Sequence, residues 1–326
     1  EDAYFLAWTT TPWTLPSNLA LCVNPEVDYV KLKVNDTVYY LAEALVETVF
    51  AEDEGQREVL ATMKGRDLEY REYEPLYPYA VGKTGKKSFI VTCDDYVTIT
   101  DGTGIVHMAP AFGEDDGRVC KKYNVGFVQF VDSHGNMTDD TDWPGVFVKD
   151  ADPLIIKDLK SSGKLFKAPS FEHSYPHCWR CDMPLLYYAR ETWFINMTAV
   201  RDKLINNNNT VNWIPDSIGK GRFGDWLEHV QDWGLSRNRY WGTPLNVWEC
   251  SCGHQHVIGS IAELKAMSDN CPEEIELHRP YVDNVTIRCE KCGKEMHRVP
   301  EVIDCWFDSG SMPFAQWHYP FENKEH

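Results

Sequence analysis

The segment YVKLKVNDTVYYL, residues 29–41, carries the clearest structural signal in the first half of the chain. Two runs of β-branched and aromatic residues flank the Asn-Asp-Thr triplet 35–37, and this order predicts a β-hairpin. Further β-rich runs lie at 88–92 and 104–109, and helix-like segments lie at 42–50, 115–123 and 153–159. Short strands interrupted by helices predict a mixed α+β chain, with a barrel-like β domain decorated by helices over residues 1–170.

The amino-acid composition changes near Pro169, where we place a domain boundary. The chain has 326 residues, which is enough for two domains. Beyond the boundary, a tryptophan-rich stretch at 193–248 and a helix-like segment at 223–231 that leads into Trp241 favour α/β structure. Residues 171–326 are therefore expected to form a second domain.

The formal net charge is −18, which argues against a protein held to nucleic acid by its bulk charge. A local basic stripe is still compatible with a tRNA enzyme; Lys83, Lys86 and Lys87 form one candidate, although such lysines are more often solvated surface residues. No apolar run approaches the roughly 20 residues needed to cross a bilayer, and no secretory signal pattern is visible. We expect a cytoplasmic monomer without membrane contact.

Six of the 11 cysteines occur in close pairs, which indicates a metal site. An odd count without a signal peptide fits a reducing compartment, where such pairs suggest zinc more than disulfides. The pairs Cys250/Cys252 and Cys289/Cys292, each followed by glycine, predict a four-cysteine zinc site within about 247–300. The single spacer residue in the first pair leaves tetrahedral geometry there open.

A third pair, Cys178 and Cys181, has no partner pair in the chain. Two cysteines supply only half of the four ligands that structural zinc takes. The pair is expected either to stay a half-site or to recruit His173 or His177.

The segment WTTTPWTLPSN, residues 8–18, contains two prolines that set turns, and on its own it predicts a corner between strands. Three consecutive hydroxyl side chains, Thr9, Thr10 and Thr11, stand beside the large aromatic residues Trp8 and Trp13. Hydroxyls can bind a ribose or an ester carbonyl, and aromatic walls set the size of a pocket. The segment is therefore a candidate for the rim of a small polar pocket.

The segment GTGIVHMAPAFGEDD, residues 102–116, predicts a strand, a loop and the start of a helix. Acidic residues at a helix start complement the helix dipole, which is a purely structural explanation for Asp116. The helix N-terminus is also expected to keep the Asp116 carboxylate ionised, as a group that binds an ammonium ion must be. His107, at the end of the strand, is the second candidate in this segment.

Together these two segments resemble the editing insertion of isoleucyl-tRNA synthetases. The leucyl and valyl relatives typically carry Thr-Thr-Arg-Pro in the first segment, whereas this chain has Thr11 followed by Pro12 and Trp13. The resemblance covers nearly the whole chain. It implies that Asp116 binds the α-ammonium group and that His107 lines the side-chain pocket and positions water. It also implies that five residues hold the terminal adenosine and the aminoacyl group, namely Thr9, Thr10, Thr11, Trp13 and Asn18.

The reaction that the resemblance implies is post-transfer editing, in which water hydrolyses the ester of valyl-tRNA(Ile). The partner would be the isoleucine tRNA with valine on its terminal adenosine. No Gly-x-Ser-x-Gly or cysteine–histidine nucleophile signature contradicts hydrolysis by water. Isoleucine and valine differ by a single methylene, whose binding energy is too small for one site to select isoleucine accurately. This enzyme class is itself the standard example of that argument.

In the second half, residues 235–244 and 303–310 resemble a class I synthetase core, which implies part of a Rossmann fold with a small zinc-binding insertion. The resemblance places Trp241 in contact with isoleucine and pairs Cys178 and Cys181 with cysteines that precede the editing insertion. Neither ATP-binding signature, His-x-Gly-His or Lys-Met-Ser-Lys-Ser, occurs here. ATP is therefore expected only in the full-length enzyme, where the rest of the synthetase chain is a partner.

Two alternatives remain at the level of sequence. One is a zinc-ribbon module that binds tRNA without catalysis. The other is the editing domain of a valyl or leucyl relative, which the sequence after Thr11 disfavours.

Overall fold

The computed structural model describes residues 3–52, 55–170 and 174–325. Two compact units make up the chain, Glu1–Ala189 and Arg190–His326. The boundary predicted near residue 170 falls inside the first unit. Among the described residues, no helix is both long enough and apolar enough to span a membrane.

The first unit is a mixture of short strands and helices, as the alternation of patterns in the sequence predicts. Its 3-10 turns are Pro12–Ser17, Glu43–Leu45, Gly65–Leu68 and Pro78–Ala80, and its helices are α1 (Val46–Val49), α2 (Glu114–Lys122) and α3 (Val148–Ser161). Its strands are β1 (Ala3–Phe5), β2 (Ala20–Val23), β3 (Asp28–Val34), β4 (Thr37–Ala42), β5 (Arg57–Lys64), β6 (Ile90–Cys93) and β7 (Ile105–Met108).

A four-stranded sheet with the order β1-β4-β3-β5 contains the predicted hairpin. Strands β3 and β4 pair antiparallel from Tyr29 opposite Ala42 to Val34 opposite Thr37, which confirms that prediction. Asn35 takes a positive φ of 51° in the turn, a conformation that asparagine tolerates better than most residues.

A three-stranded sheet with the order β6-β2-β7 forms the centre of the first unit, and all four residues of its middle strand β2 are buried. Side chains alternate across β2, so Leu21 packs with Tyr29 in one apolar cluster while Cys22 packs with Val119 in another. The Ala42 amide donates to the Thr103 carbonyl at 2.9 Å and links the two sheets at one corner. This arrangement is consistent with the barrel-like β domain predicted.

Helix α2 begins after Gly113, and its first turn contains three acidic residues while its last contains two lysines. Both groups of charges complement the helix dipole. Val119 and Cys120 are buried against the central sheet. The helix therefore has a fixed face, and its first turn lies beside the end of β7.

Helix α3 buries Val148, Ala151, Ile155 and Leu159, which follow the i, i+3, i+4 spacing of one helical face. The helix begins five residues earlier than the sequence predicts, and Pro153 lies inside it rather than at its start.

The second unit has helices α4 (Arg201–Asn208), α5 (Ser217–Lys220), α6 (Arg222–Glu228), α7 (Ile261–Met267) and α8 (Cys305–Ala315), with 3-10 turns Thr198–Val200 and Val282–Asn284. Its strands are β8 (Phe194–Ile195), β9 (Trp233–Gly234), β10 (Ser236–Arg237), β11 (Val247–Cys250), β12 (Gln255–Val257), β13 (Ile287–Arg288), β14 (Glu295–Arg298) and β15 (Val302–Ile303).

A four-stranded sheet with the order β12-β11-β14-β13 dominates the second unit. It packs around Trp248 and Met296, and buried Arg298 donates from Nε to Asp283 Oδ1 at 2.7 Å. All strand pairs recorded within described residues 190–325 are antiparallel. The parallel sheet of a Rossmann core is therefore not confirmed here.

Candidate functional site

A small cavity of about 240 Å³ opens in the first unit where the Pro12–Ser17 turn, the end of β7 and the start of α2 meet. Both segments singled out by the sequence contribute to it. The lining consists of Trp8, Thr9, Thr10, Thr11, Thr14, Val106, His107, Ala109, Phe112 and Asp116.

Threonine hydroxyls form one wall of the cavity, and the 3-10 turn sets their geometry. Side chains three residues apart eclipse one another in a 3-10 helix. Thr14 accordingly donates from Oγ1 to the Thr11 carbonyl at 2.8 Å, and the two hydroxyls lie 3.3 Å apart. The Thr11 amide donates to Thr9 Oγ1 at 3.0 Å. The wall is therefore held in place by its own hydrogen bonds.

His107 is 7% exposed, and both of its ring nitrogens are engaged. Nε2 lies 2.8 Å from Thr14 Oγ1, and Nδ1 lies 3.4 Å from the amide nitrogen of Asn18. Thr14 already donates its proton to a carbonyl, and the Asn18 amide can only donate, so the consistent tautomer carries its proton on Nε2. Burial lowers the pKa of His107 to about 4, which keeps the imidazole neutral.

Asn18 lies behind His107 rather than in the lining of the cavity. Tyr73 donates its hydroxyl proton to Asn18 Oδ1 at 2.6 Å, and Asn18 Nδ2 donates to the Ala20 carbonyl at 2.9 Å. These bonds orient the amide so that its NH₂ group faces His107. The contact with substrate expected of Asn18 stays a prediction.

Asp116 faces the cavity from the first turn of α2. Its Oδ2 accepts the Ala109 amide proton at 2.8 Å. Burial, with a smaller contribution from the neighbouring charge of Asp115, raises the pKa of Asp116 to about 6, against the lowering effect of the backbone hydrogen bonds. The expectation that the helix N-terminus keeps this group ionised therefore holds only in part: desolvation outweighs the helix N-terminus and raises the pKa, so the carboxylate is mostly but not fully ionised at neutral pH.

Trp13 is 3% exposed and lies behind the cavity, not in its lining. Its ring meets Phe112, which does line the cavity, edge to face with centroids 4.8 Å apart. Its amide donates to Asp152 Oδ1 on α3 at 2.8 Å. Its predicted contact with adenosine remains untested, and in this structure Trp13 supports Phe112.

Thr14, Phe112, Ala109 and Tyr73 are functional candidates that sequence reasoning missed. A signal existed for Thr14, because it follows Thr11 by three residues in a turn that begins with proline. For Tyr73 no local signal exists, since its partner Asn18 lies 55 residues away in the sequence.

In the second unit, Cys250, Cys252, Cys289 and Cys292 come together with their sulfurs within 4.8 Å of one another. The sulfurs of Cys250 and Cys292 are 3.4 Å apart, and those of Cys252 and Cys289 are 3.7 Å apart. Zinc–sulfur bonds of about 2.3 Å place tetrahedral ligands about 3.8 Å apart, so the four thiols fit zinc. The single spacer residue in the first pair does not prevent this arrangement.

Each cysteine turn ends on a glycine whose amide donates back to the first cysteine of its pair, across three residues in the first turn and four in the second. Gly253 and Gly293 take positive φ angles of 80° and 73°, and their amides donate to the carbonyls of Cys250 and Cys289. The backbone N–H of Cys252 lowers the pKa of Cys250, which favours the thiolate. The positive φ accounts for the glycine that follows each pair.

Cys178 and Cys181 belong to neither of the two groups of potential metal ligands found among the described residues. Cys178 is half-buried, Cys181 is exposed, and His173 lies outside the described residues. The second of those groups contains His254, His256 and Glu290. His256 in this group already has another partner, because its Nε2 lies 3.0 Å from Glu263 Oε1.

Trp241 lies in the second unit and is 73% exposed. The ring stacks on His278 with centroids 5.1 Å apart and an interplanar angle of 6°. Its predicted contact with isoleucine is not tested by this arrangement.

The chain belongs to the class I tRNA synthetases: the family model described as tRNA synthetases class I (I, L, M and V) matches residues 8–326. It is 57% identical to the isoleucine–tRNA ligase of Clostridium novyi (strain NT) over 326 residues. It is 53% identical to that of Bacillus thuringiensis (strain Al Hakam) over 328 residues. Each alignment covers 100% of this chain and 31% of the relative, so the chain spans about a third of their length.

Among solved structures, the chain is similar to that of GlLeuRS-CP1, with a TM-score of 0.42 and 18% identity, over 52% of this chain and 85% of that one. It is also similar to the P. knowlesi cytosolic leucyl-tRNA synthetase editing domain, with a TM-score of 0.38 and 14% identity, over 58% of this chain and 85% of that one.

Proposed function

We propose that the first unit is an editing domain that hydrolyses the ester bond of valyl-tRNA(Ile). The observation that carries the proposal is one small cavity that combines a carboxylate, Asp116, with the hydroxyl wall of Thr9 to Thr11 and the neutral imidazole of His107. The relatives, which are named isoleucine–tRNA ligases, support isoleucine tRNA as the partner.

Asp116 is the group in this cavity suited to the α-ammonium of the misattached amino acid. One carboxylate oxygen accepts the Ala109 amide proton, which leaves the other oxygen for the substrate. A bound ammonium group favours the ionised carboxylate and would lower its raised pKa. Removing one partner of a desolvated charge pair costs several kcal/mol, because the other charge is left unpaired.

Water is the nucleophile in this proposal. The described lining offers no cysteine or serine, and the hydroxyls of Thr11 and Thr14 are already hydrogen bonded. His107 is a poor general base, because burial lowers its pKa to about 4 and its unprotonated nitrogen already accepts from Asn18. The wall therefore positions the ester and a water molecule, and position alone can supply a large part of a rate enhancement.

Size selection follows from the rigidity of the same wall. Threonine is β-branched and has few rotamers, and Thr14 is further fixed by its bonds to Thr11 and His107. Forcing one extra methylene into a well-packed site costs about 1–3 kcal/mol. We infer that the valyl ester reaches the attacking water while the isoleucyl ester is held away from it.

For the second unit we propose zinc, held by Cys250, Cys252, Cys289 and Cys292. Zinc there would supply a structural crosslink between two turns rather than chemistry. Isoleucine binding near Trp241, ATP use and aminoacylation are proposed for the longer protein, because this chain covers 31% of its relatives. Docking of the isoleucine tRNA is proposed for the same longer protein.

The test is a paired deacylation time course on valyl-tRNA(Ile) and isoleucyl-tRNA(Ile). The parent chain is expected to cleave the valyl ester and spare the isoleucyl ester. Asp116→Ala should lose deacylation by at least about 100-fold, since a lost ammonium contact costs several kcal/mol. Glu114→Ala, which removes an exposed carboxylate from the same helical turn, should retain it.

Equal cleavage of both esters by the parent would overturn size selection. Binding of tRNA without cleavage of either ester would instead favour a non-catalytic tRNA-binding module. Wild-type rates in a folded Asp116→Ala variant would remove Asp116 from the site.

A further inference from the structure

Arg118 connects the helix that carries Asp116 to the central sheet. Its Nη1 donates to Asp94 Oδ2 and its Nη2 to Asp94 Oδ1, both at 2.9 Å. The side chain of Asp94 is 5% exposed, and its amide donates to the Val23 carbonyl at the end of β2. A bidentate ion pair of this kind fixes the orientation of the two side chains as well as the distance between them. Helix α2 is thereby attached to a buried point next to β6.

The same guanidinium also contacts the residue that precedes Asp116. Arg118 Nη2 donates to Asp115 Oδ1 at 2.9 Å. Asp115 is the neighbouring charge that raises the pKa of Asp116. A cation held on Asp115 counteracts that effect, because opposite charges in contact cancel most of their field at longer distance.

Glu114 lies in the same helical turn but is exposed to solvent, and the buried titratable groups around Asp116 are uncharged at neutral pH. Burial raises the pKa of Tyr96 well above its ordinary value and that of Cys120 to about 12, and it keeps His107 neutral. Among the described groups that influence Asp116, Asp115 is therefore the one whose charge can act on it. Arg118, which pairs with Asp115, is therefore the residue that offsets this charge.

We propose that Arg118 is a positioning residue for editing: it fixes the first turn of α2 against Asp94 and neutralises Asp115, so that Asp116 meets the substrate ammonium as an oriented carboxylate. This inference rests on the proposed editing reaction. Arg118 itself does not line the cavity and acts only through Asp94 and Asp115.

Loss of Arg118 has two separable consequences. The geometric one is a less well placed carboxylate, which lowers kcat at every pH. The electrostatic one is an uncompensated Asp115 beside Asp116, which moves the acid limb of the pH–rate profile upward by about half a pH unit. A merely structural role would produce the first effect without the second.

The experiment measures kcat and KM for deacylation of valyl-tRNA(Ile) by the full chain from about pH 5 to pH 8.5, after subtraction of spontaneous hydrolysis. Arg118→Gln should lower kcat about tenfold and raise the acid midpoint. Adding Asp115→Asn to Arg118→Gln should return the midpoint to that of the parent. Lys121→Gln removes one positive charge from the exposed side of the same helix and should change neither quantity.

Arg118→Lys keeps the charge but loses the two-pronged geometry, so it should lower kcat and leave the midpoint unchanged; it also serves if Arg118→Gln does not fold. Coincident pH profiles for Arg118→Gln and Lys121→Gln overturn the proposal, as does a shift that Asp115→Asn fails to reverse. A parent chain without valyl-tRNA deacylation overturns the editing function itself, which is a different outcome from an active parent with an indifferent Arg118.

Discussion

Gly113 sets the place of the Asp116 carboxylate by having no side chain. It precedes α2 with ordinary backbone angles, φ −131° and ψ 139°, so its conformation does not require glycine. A Cβ built at this position would come within 2.8 Å of Asp116 Cγ and 2.9 Å of Oδ1. Because a short flexible side chain yields more easily than backbone, the carboxylate rather than the helix would move.

Gly113→Ala is therefore expected to reduce valyl-tRNA deacylation by about 100-fold, since a carboxylate displaced by about 1 Å cannot hold the substrate ammonium in place. The thermal unfolding temperature should change little, because the cost at a helix N-cap is about 1 kcal/mol or less. Gly117→Ala is the matched control, since its Cβ would contact the Pro110 carbonyl instead of Asp116. Equal activity of both variants would contradict the assignment.

The raised pKa of Asp116 predicts that the ionised carboxylate at this position lowers the free energy of unfolding at neutral pH. The pKa in the folded chain, about 6, lies above the ordinary value of 3.8. The contribution of this group to stability is therefore fully present below about pH 4 and is lost as the pH rises through 6. Above pH 7 the folded chain carries a charge at this partly buried position, where the neutral carboxyl group would cost less free energy.

Asp116→Asn should accordingly unfold less readily than the parent at pH 8, by about 1–2 kcal/mol after discounting for the solvent that reaches the cavity. The difference should vanish near pH 4, while deacylation is lost. Denaturant unfolding at both pH values measures it, with Glu114→Gln as the exposed control. A variant less stable than its parent at pH 8 would show that the carboxylate makes contacts which outweigh its burial.

At the level of elements, local sequence patterns predicted those elements whose formation depends mainly on neighbouring residues. The hairpin of β3 and β4 was predictable because two β-rich runs flank a turn triplet, and the start of α2 was predicted within one residue from its acidic first turn. The predicted helix over 42–50 divides into the 3-10 turn Glu43–Leu45 and the single turn α1. Propensity alone does not distinguish these forms.

The candidate site was predictable in part for a related reason. Thr11, His107 and Asp116 line one cavity because the register of β2 and β7 places His107 opposite Leu21, next to the threonine turn. Asn18 and Trp13 carried the same sequence signal, yet they support the cavity from behind. Which face of a 3-10 turn points inward depends on its neighbours, here Tyr73 for Asn18 and Phe112 for Trp13.

At the level of the whole molecule, the two units have separate hydrophobic cores. The clusters around β2 contain residues of the first unit, whereas the cluster around Trp248 contains residues of the second. Cys250 and Cys289 belong to the latter cluster and are also two of the four thiols that fit zinc. Metal binding and folding are coupled where thiolates form part of a core.

Zinc removal is therefore expected to loosen the second unit and to leave the first intact. Elemental analysis should find one zinc per chain in the parent and in Cys305→Ser, whose thiol is exposed and outside the group, and almost none in Cys289→Ser. Limited proteolysis should then cut the chelated parent and Cys289→Ser between residues 247 and 300. Valyl-tRNA deacylation, measured with the tRNA in excess, should persist, because the cavity is built from residues 8–116 alone. A metal-free chain that resists proteolysis in this segment would show that the four cysteines hold the fold as thiols.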